Sequence, residues 1–196
     1  MLRPDYPLRS ARLVLRPYSA ADFDDFSAIH SYPDVTRYLY WEPRGAAQVR
    51  EVFDQKVSES RLDDDGQRIS LAVVWPQIDR VIGEVHLHWL SRVHRQGEIG
   101  FVFHPDHHGK GFATEAAELA LALGFDDLGL HRIIGRLDAR NIGSARVLEK
   151  LGMRREAHFV HDEIFKGEWA DQLVYAILDE EWKPRRCPRQ GPRGAR

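Results

Sequence analysis

Three groups of residues in this chain have types and spacings suited to chemistry. The first is His104-Pro105-Asp106-His107-His108-Gly109-Lys110-Gly111-Phe112-Ala113-Thr114. A strand-like apolar run, Ile99 to Phe103, enters it and an alanine-rich helical pattern, Ala113 to Phe125, leaves it. Glycine lets backbone approach a ligand closely, and the start of a helix offers unpaired N–H groups to an anion. The stretch is therefore expected to hold a pyrophosphate, through backbone N–H groups more than through the Lys110 side chain. The second group is Glu98 at the start of the entering strand, with Glu84 and His86-x-His88 on a neighbouring one. Alternation puts Glu98, Gly100, Val102 and His104 on one strand face. A carboxylate beside apolar neighbours can have its pKa raised into a base's range. The third is Asn141-Ile142-Gly143-Ser144, an N-cap asparagine with a hydroxyl in the first helical turn.

Spacing excludes several alternatives. A Walker A loop needs Gly-x-x-x-x-Gly-Lys-Ser/Thr, and here Lys110 precedes the second glycine. A dinucleotide fingerprint needs a third glycine where Thr114 stands, and an early parallel βαβ series. There is no Gly-x-Ser-x-Gly elbow, and the single cysteine, Cys187, lies near the C-terminus, which argues against an acyl-enzyme. The ten histidines include no zincin spacing, so no metal is expected.

The elements that must position these groups follow from hydrophobic periodicity. Residues 12–17 predict a first strand, 20–30 and 46–61 two helices, and 69–75 with 80–89 a hairpin across Pro76-Gln77-Ile78-Asp79. Strands follow at 98–104, 132–137, 155–161 and 169–178, with helices at 113–125 and 141–151, the last ended by Gly152. The strand–helix–strand unit over 98–138 implies a parallel crossover, and the hairpins imply antiparallel neighbours. A mixed sheet with helices on both faces is the expected architecture. Tyr38, Tyr40 and Trp41 form an aromatic loop suited to lining a groove.

At 196 residues, with 43% hydrophobic and 30% charged side chains, the chain reads as one globular domain over 1–182. Residues 183–196 hold six basic side chains and no acid, with three prolines, and read as a disordered tail. That leaves 22 basic side chains against all 30 acids in the body, which argues against nucleic-acid binding by the folded surface. No apolar run is long enough to span a bilayer and no signal-peptide pattern opens the chain, so a cytoplasmic protein is expected.

His108-Gly109-Lys110-Gly111-Phe112-Ala113 resembles the Gln/Arg-x-x-Gly-x-Gly/Ala loop of the GNAT superfamily of acetyl-CoA-dependent N-acetyltransferases. Asn141-Ile142-Gly143-Ser144 followed by Glu149-Lys150-Leu151-Gly152-Met153 resembles the second cofactor motif of the same family. With Glu98-Ile99-Gly100-Phe101, the set looks most like the ribosomal-protein alanine N-acetyltransferase (RimJ/RimL-type) branch, over about residues 12–182. The resemblance implies an α/β (α+β) GNAT fold with a mostly antiparallel sheet around a parallel βαβ crossover. It implies direct acetyl transfer to a primary amine, here a protein N-terminus. A small-molecule or antibiotic amine acceptor, or a non-catalytic acyl-CoA-binding module, are the alternatives. It further implies that acetyl-CoA lies along Phe101, Val102 and Phe103, with residues 108–114, Asn141 and Ser144 also holding it. Glu98 would be the base and Ser144 the proton donor to the thiolate, with Glu84 in reserve. Trp41, Glu84, His86 and His88 would line the acceptor side. Two positions depart from the family pattern: His108 replaces Gln/Arg, and Leu148 stands where many members carry tyrosine. Oligomeric state stays open, a homodimer included.

Overall fold

The computed structural model describes residues 1–39, 41, 42 and 44–182; the basic tail, Tyr40 and Pro43 lie outside the described residues. Eight strands form one sheet in the order β1-β2-β3-β4-β5-β6-β8-β7. They are β1 (Leu8–Arg9), β2 (Val14–Arg16), β3 (Arg68–Trp75), β4 (Arg80–Ser91), β5 (Gln96–Phe103), β6 (Arg132–Asp138), β7 (Arg154–Phe165) and β8 (Glu168–Leu178). The helices are α1 (Phe23–His30), α2 (Pro33–Thr36), α3 (Ala46–Ser58), α4 (Phe112–Ala122), α5 (Ile142–Lys150) and α6 (Asp179–Trp182). Every strand pair is antiparallel except β5 with β6, the crossover through α4 expected from the sequence.

Alternation on β3 divides the core. Ile69, Leu71 and Val73 join the larger cluster, in which Ala116, Ala117, Ala120 and Leu121 of α4 are buried. The three alanines let the helix approach the sheet closely. Ala72 and Val74 face the other way and pack with Phe26 and Ile29 of α1 and Val49 and Phe53 of α3. Full burial of a single Leu, Ile or Phe side chain is worth about 1.5–3 kcal/mol, so a strand covered on both faces is a firm centre.

Two differences from the sequence reading have a plain physical reason. A two-residue strand at Leu8–Arg9 pairs with Leu15 and Val14, unpredictable from periodicity because two residues have none. Strand β7 runs on to Phe165, well past residue 161, because its mostly exposed side chains carry little apolar pattern while β8 supplies the hydrogen bonds.

The parallel pair is short. Only Gln96–Glu98 and Arg132–Ile134 are in register. Beyond them β5 continues against β4 as far as Phe103, and β6 continues against β8 as far as Asp138. Each strand follows its antiparallel partner, and the two part company. The resulting wedge opens the sheet where the site lies.

Candidate functional site

The wedge widens into a cleft of about 370 Å³. Phe101 and Val102 of β5 face Gly135, Arg136, Leu137 and Asp138 of β6, with Asn141, Ser144 and Leu148 at the start of α5. The other wall is built from Tyr38, Trp41 and Arg44 of the loop before α3, Lys56 of α3, and Glu84 and His86 of β4. Glu98 lies at the closed end, where its carboxylate accepts from Arg136 at 3.1 Å.

At the outer end of β5 the chain turns through Pro105–His107 into the glycine loop. Gly111 has φ +80° and caps α4, a left-handed conformation that glycine adopts without strain. The first intrahelical bond of α4 is donated by Glu115 N–H to the Gly111 carbonyl, so the N–H groups of Phe112, Ala113 and Thr114 have no intrahelical acceptor. Arg12 braces the turn. Its guanidinium donates to Glu115 at 2.7 Å and to the Lys110 carbonyl at 2.9 Å, and stacks 4.6 Å from the Phe112 ring centre. The Ser10 hydroxyl adds a bond to Glu115 at 2.6 Å.

Glu84 is the electrostatic centre of the opposite wall. It is 3% exposed and accepts from Lys56 Nζ at 2.6 Å and from the Tyr18 hydroxyl at 3.3 Å. His30 Nε2 stands 3.6 Å from one carboxylate oxygen and His86 Nδ1 3.8 Å from the other. Burial alone would raise this carboxyl, but Lys56, His30 and His86 outweigh it and hold its pKa well below the usual carboxylate range. Lys56 also donates to the Ser70 hydroxyl at 3.1 Å, and Ser70 in turn donates to Glu59.

One predicted acceptor-side residue, His88, falls outside the cleft, and the other predicted residues take the following positions. The His88 ring bonds the Gly66 carbonyl at 3.2 Å and is not part of the cleft wall; it shares a sheet face with His86, but the 62–66 turn draws it to the closed end. His108 spends its ring on the Phe103 carbonyl at 2.9 Å and its N–H on Pro105, so it ties loop to strand instead of reaching outward. Lys110 folds back to the Asp106 carbonyl at 2.8 Å. The Phe103 and Phe112 side chains are buried in the core, which leaves only their backbone for a ligand. Asn141 acts as the N-cap, accepting from Ser144 N–H at 3.0 Å while still lining the cleft.

Leu148 fills the space beside Gly135, where an added Cβ would come within 2.8 Å of it. Trp41, Glu84 and His86 do line the cleft, as does Ser144. Among the described residues, no group of three or more His, Cys, Asp or Glu side chains converges on a possible metal position.

Lys56, His30, Arg44 and Arg136 were missed from sequence. One signal was available for Lys56: it follows Val49 and Phe53 at helical spacing and is buried with them, so a lysine sits on the apolar stripe of α3. Such a lysine requires a buried anion.

The model of the Acetyltransferase (GNAT) domain matches residues 12–154. This chain belongs to the GNAT family. The GNAT enzyme is 34% identical over 175 residues to the uncharacterized N-acetyltransferase YnaD of Bacillus subtilis, covering 89% of this chain and 98% of that one. It is 26% identical to the spermidine N(1)-acetyltransferase of Escherichia coli K12, over 86% of this chain and 87% of the relative. A GNAT-family acetyltransferase from Bacillus anthracis superposes with a TM-score of 0.80 at 30% identity, covering 90% of this chain and all of the other. The protein is thus an acetyl-CoA-dependent N-acetyltransferase, as its two motifs implied. The N–H groups at the start of α4 that have no intrahelical acceptor, and the β5 edge beyond Glu98 that β6 does not pair, fit that donor. No helix among the described residues is long and apolar enough to cross a membrane.

Proposed function

We propose that this GNAT enzyme acetylates the α-amine at the N-terminus of a protein or peptide, with a ribosomal protein as the class its RimJ/RimL-like motifs favour. The observation that carries the acceptor class is the charge balance of the cleft. Glu59, Glu84, Glu98, Asp138 and Glu163 share its walls with Arg44, Lys56, Arg68 and Arg136. Three of these four cations sit on anions: Lys56 on Glu84, Arg68 on Glu59 and Arg136 on Glu98, while Arg44 stacks on Trp41. A polycation would be drawn to an acidic groove, whereas a single amine followed by neutral peptide suits a balanced one.

The state of Glu84 agrees with this. Held ionised by Lys56, it is a poor proton acceptor. A weakly basic site suits an α-amine, which titrates near about 7.7–8.0, better than an alkyl amine near about 10.4.

The donor's pyrophosphate would lie on the N–H groups of residues 109–114. Its pantetheine arm would run along the Phe101–Phe103 edge, whose N–H groups polarise the thioester carbonyl. The amine attacks directly, and Ser144, in the first turn of α5, protonates the departing thiolate, with Asn141 holding that turn. The proton acceptor is drawn from Glu98 and His86, which both line the cleft.

The test follows thiol release from acetyl-CoA with free N-terminal peptides, N-blocked lysine peptides and polyamines. Free N-termini are expected to react fastest. A polyamine preferred by tenfold or more would overturn the acceptor assignment, and absence of any CoA-dependent thermal stabilisation would overturn the donor site.

A further inference from the structure

Three side chains on the cleft floor bear on how the amine loses its proton, and the sheet register sets them side by side. His86 of β4 pairs with Gly100 of β5, His88 with Glu98, and Glu84 with Val102. The Cε1–Nε2 edge of the His86 imidazole lies against Gly100: a Cβ there would fall 2.3 Å from Cε1 and 2.5 Å from Nε2. A glycine at this pairing position makes room for the ring and directs it into the cleft.

The two ring nitrogens of His86 are inequivalent. Nδ1 is buried with no hydrogen-bond partner among the described residues and stands 3.8 Å from Glu84 Oε1. Nε2 lies on the Gly100 side, along the cleft floor. With its proton on Nδ1, next to a carboxylate, the ring presents a lone pair at Nε2. The fork of a carboxylate behind one nitrogen and an open acceptor at the other is the arrangement that lets imidazole take a proton and be stabilised as imidazolium.

The alternative base is engaged elsewhere. Glu98 bonds Arg136 at 3.1 Å, at the closed end of the wedge.

We infer that His86 accepts the proton of the attacking amine through Nε2, with Glu84 as a positioning residue behind Nδ1 and Lys56 keeping that carboxylate in place. This rests on the acetyl-transfer reading above and assigns the base within it. The amine lone pair forms the new N–C bond to the acetyl carbon, and the C–S bond breaks with its electron pair leaving on sulfur. The amine proton passes to His86 Nε2, the thiolate is protonated from the α5 side, and His86 returns its proton to water.

The charged and titratable groups that share the cleft with the ring are Glu84 of β4 and Glu98 of β5, Lys56 and Glu59 from α3 and its end, His30 from α1, Tyr38 and Arg44 from the loop before α3, Arg68 from β3, Arg136 and Asp138 from β6, and Glu163 from β7. Burial, with a contribution from Lys56, lowers the imidazole pKa below its ordinary value although Glu84 opposes this. The ring is therefore neutral and able to accept at neutral pH.

The experiment is kcat/KM against pH for wild-type, H86Q, H86A and E98Q enzymes with a free N-terminal peptide, adding imidazole to H86A. H86Q is expected to lose about 100-fold or more, the usual weight of a general base, and to lose the lower acid limb of the profile, that of the enzyme below about 6.5, keeping the limb at about 7.7–8.0 that belongs to the substrate amine. H86A should be restored in part by imidazole, which a merely structural role would not permit, and E98Q should keep the lower limb. The assignment is overturned if H86Q retains the wild-type lower limb, if imidazole leaves H86A unchanged, or if E98Q alone abolishes the lower limb. A wild-type enzyme that binds CoA and acetylates no amine would instead overturn the acetyl-transfer reading, and this assignment with it.

Discussion

Lys56 Nζ lies 2.6 Å from Glu84 Oε1, with both side chains shut away from solvent between α3 and the sheet. Breaking a buried pair from one side leaves the other charge unmatched. Lys56→Met should therefore cost about 3–5 kcal/mol in denaturant unfolding, while Lys56→Met with Glu84→Leu should recover most of it. A single K56M loss below about 1 kcal/mol would show that the pair is not buried as described.

The same pair makes stability pH-dependent. Glu84 is depressed when folded, so its contribution is complete above the unfolded glutamate value of about 4.3 and is lost as pH falls through its lower folded value. His86 is also depressed, so its contribution is complete above about 6.5 and fades as pH falls below that. Both signs agree: unfolding free energy, measured by urea titration, should fall between pH 7 and pH 4. An unchanged value across that range would contradict the His86 shift, while the Glu84 loss is expected below about pH 4.3.

Gly111→Asp puts a side chain on a backbone with φ +80°, and a negative charge beside the N–H groups of α4. Wild-type protein at about 100 times the CoA dissociation constant should gain about 2.7 kcal/mol of stability. G111D should gain none, as read from thermal melts with and without CoA.

Arg12 holds the loop from outside, and its pair with Glu115 is partly exposed. Pairs of this kind are worth up to about 1 kcal/mol, so Arg12→Ala should raise the KM for acetyl-CoA by about two- to fivefold and leave kcat nearly unchanged. A fall in kcat alone would point to a role in the chemistry instead.

Ser144→Ala removes the hydroxyl but keeps the N–H that Asn141 caps. CoA affinity should hold, while kcat falls by about tenfold to 100-fold. If kcat is unaffected, water protonates the thiolate.

Some of this protein was determined by local sequence. Gly109 and Gly111 between an apolar strand and an alanine helix, and Asn141 three residues before Ser144, are short-range patterns whose backbone consequences are nearly independent of the rest of the chain. The loop, the N-cap, the parallel crossover and the family could all be read from them. What tertiary structure alone decided is which side chains meet. The parting of β5 from β6 after Glu98 depends on the longer antiparallel partners β4 and β8, and no local pattern records where two strands separate. His86 and His88 look equivalent by alternation, yet only His86 lies over a glycine inside the wedge, while the 62–66 turn claims His88. Lys56, 28 residues from Glu84, reaches it because α3 folds over the sheet. A buried charge is stable only where its partner arrives, and that meeting is a property of the fold.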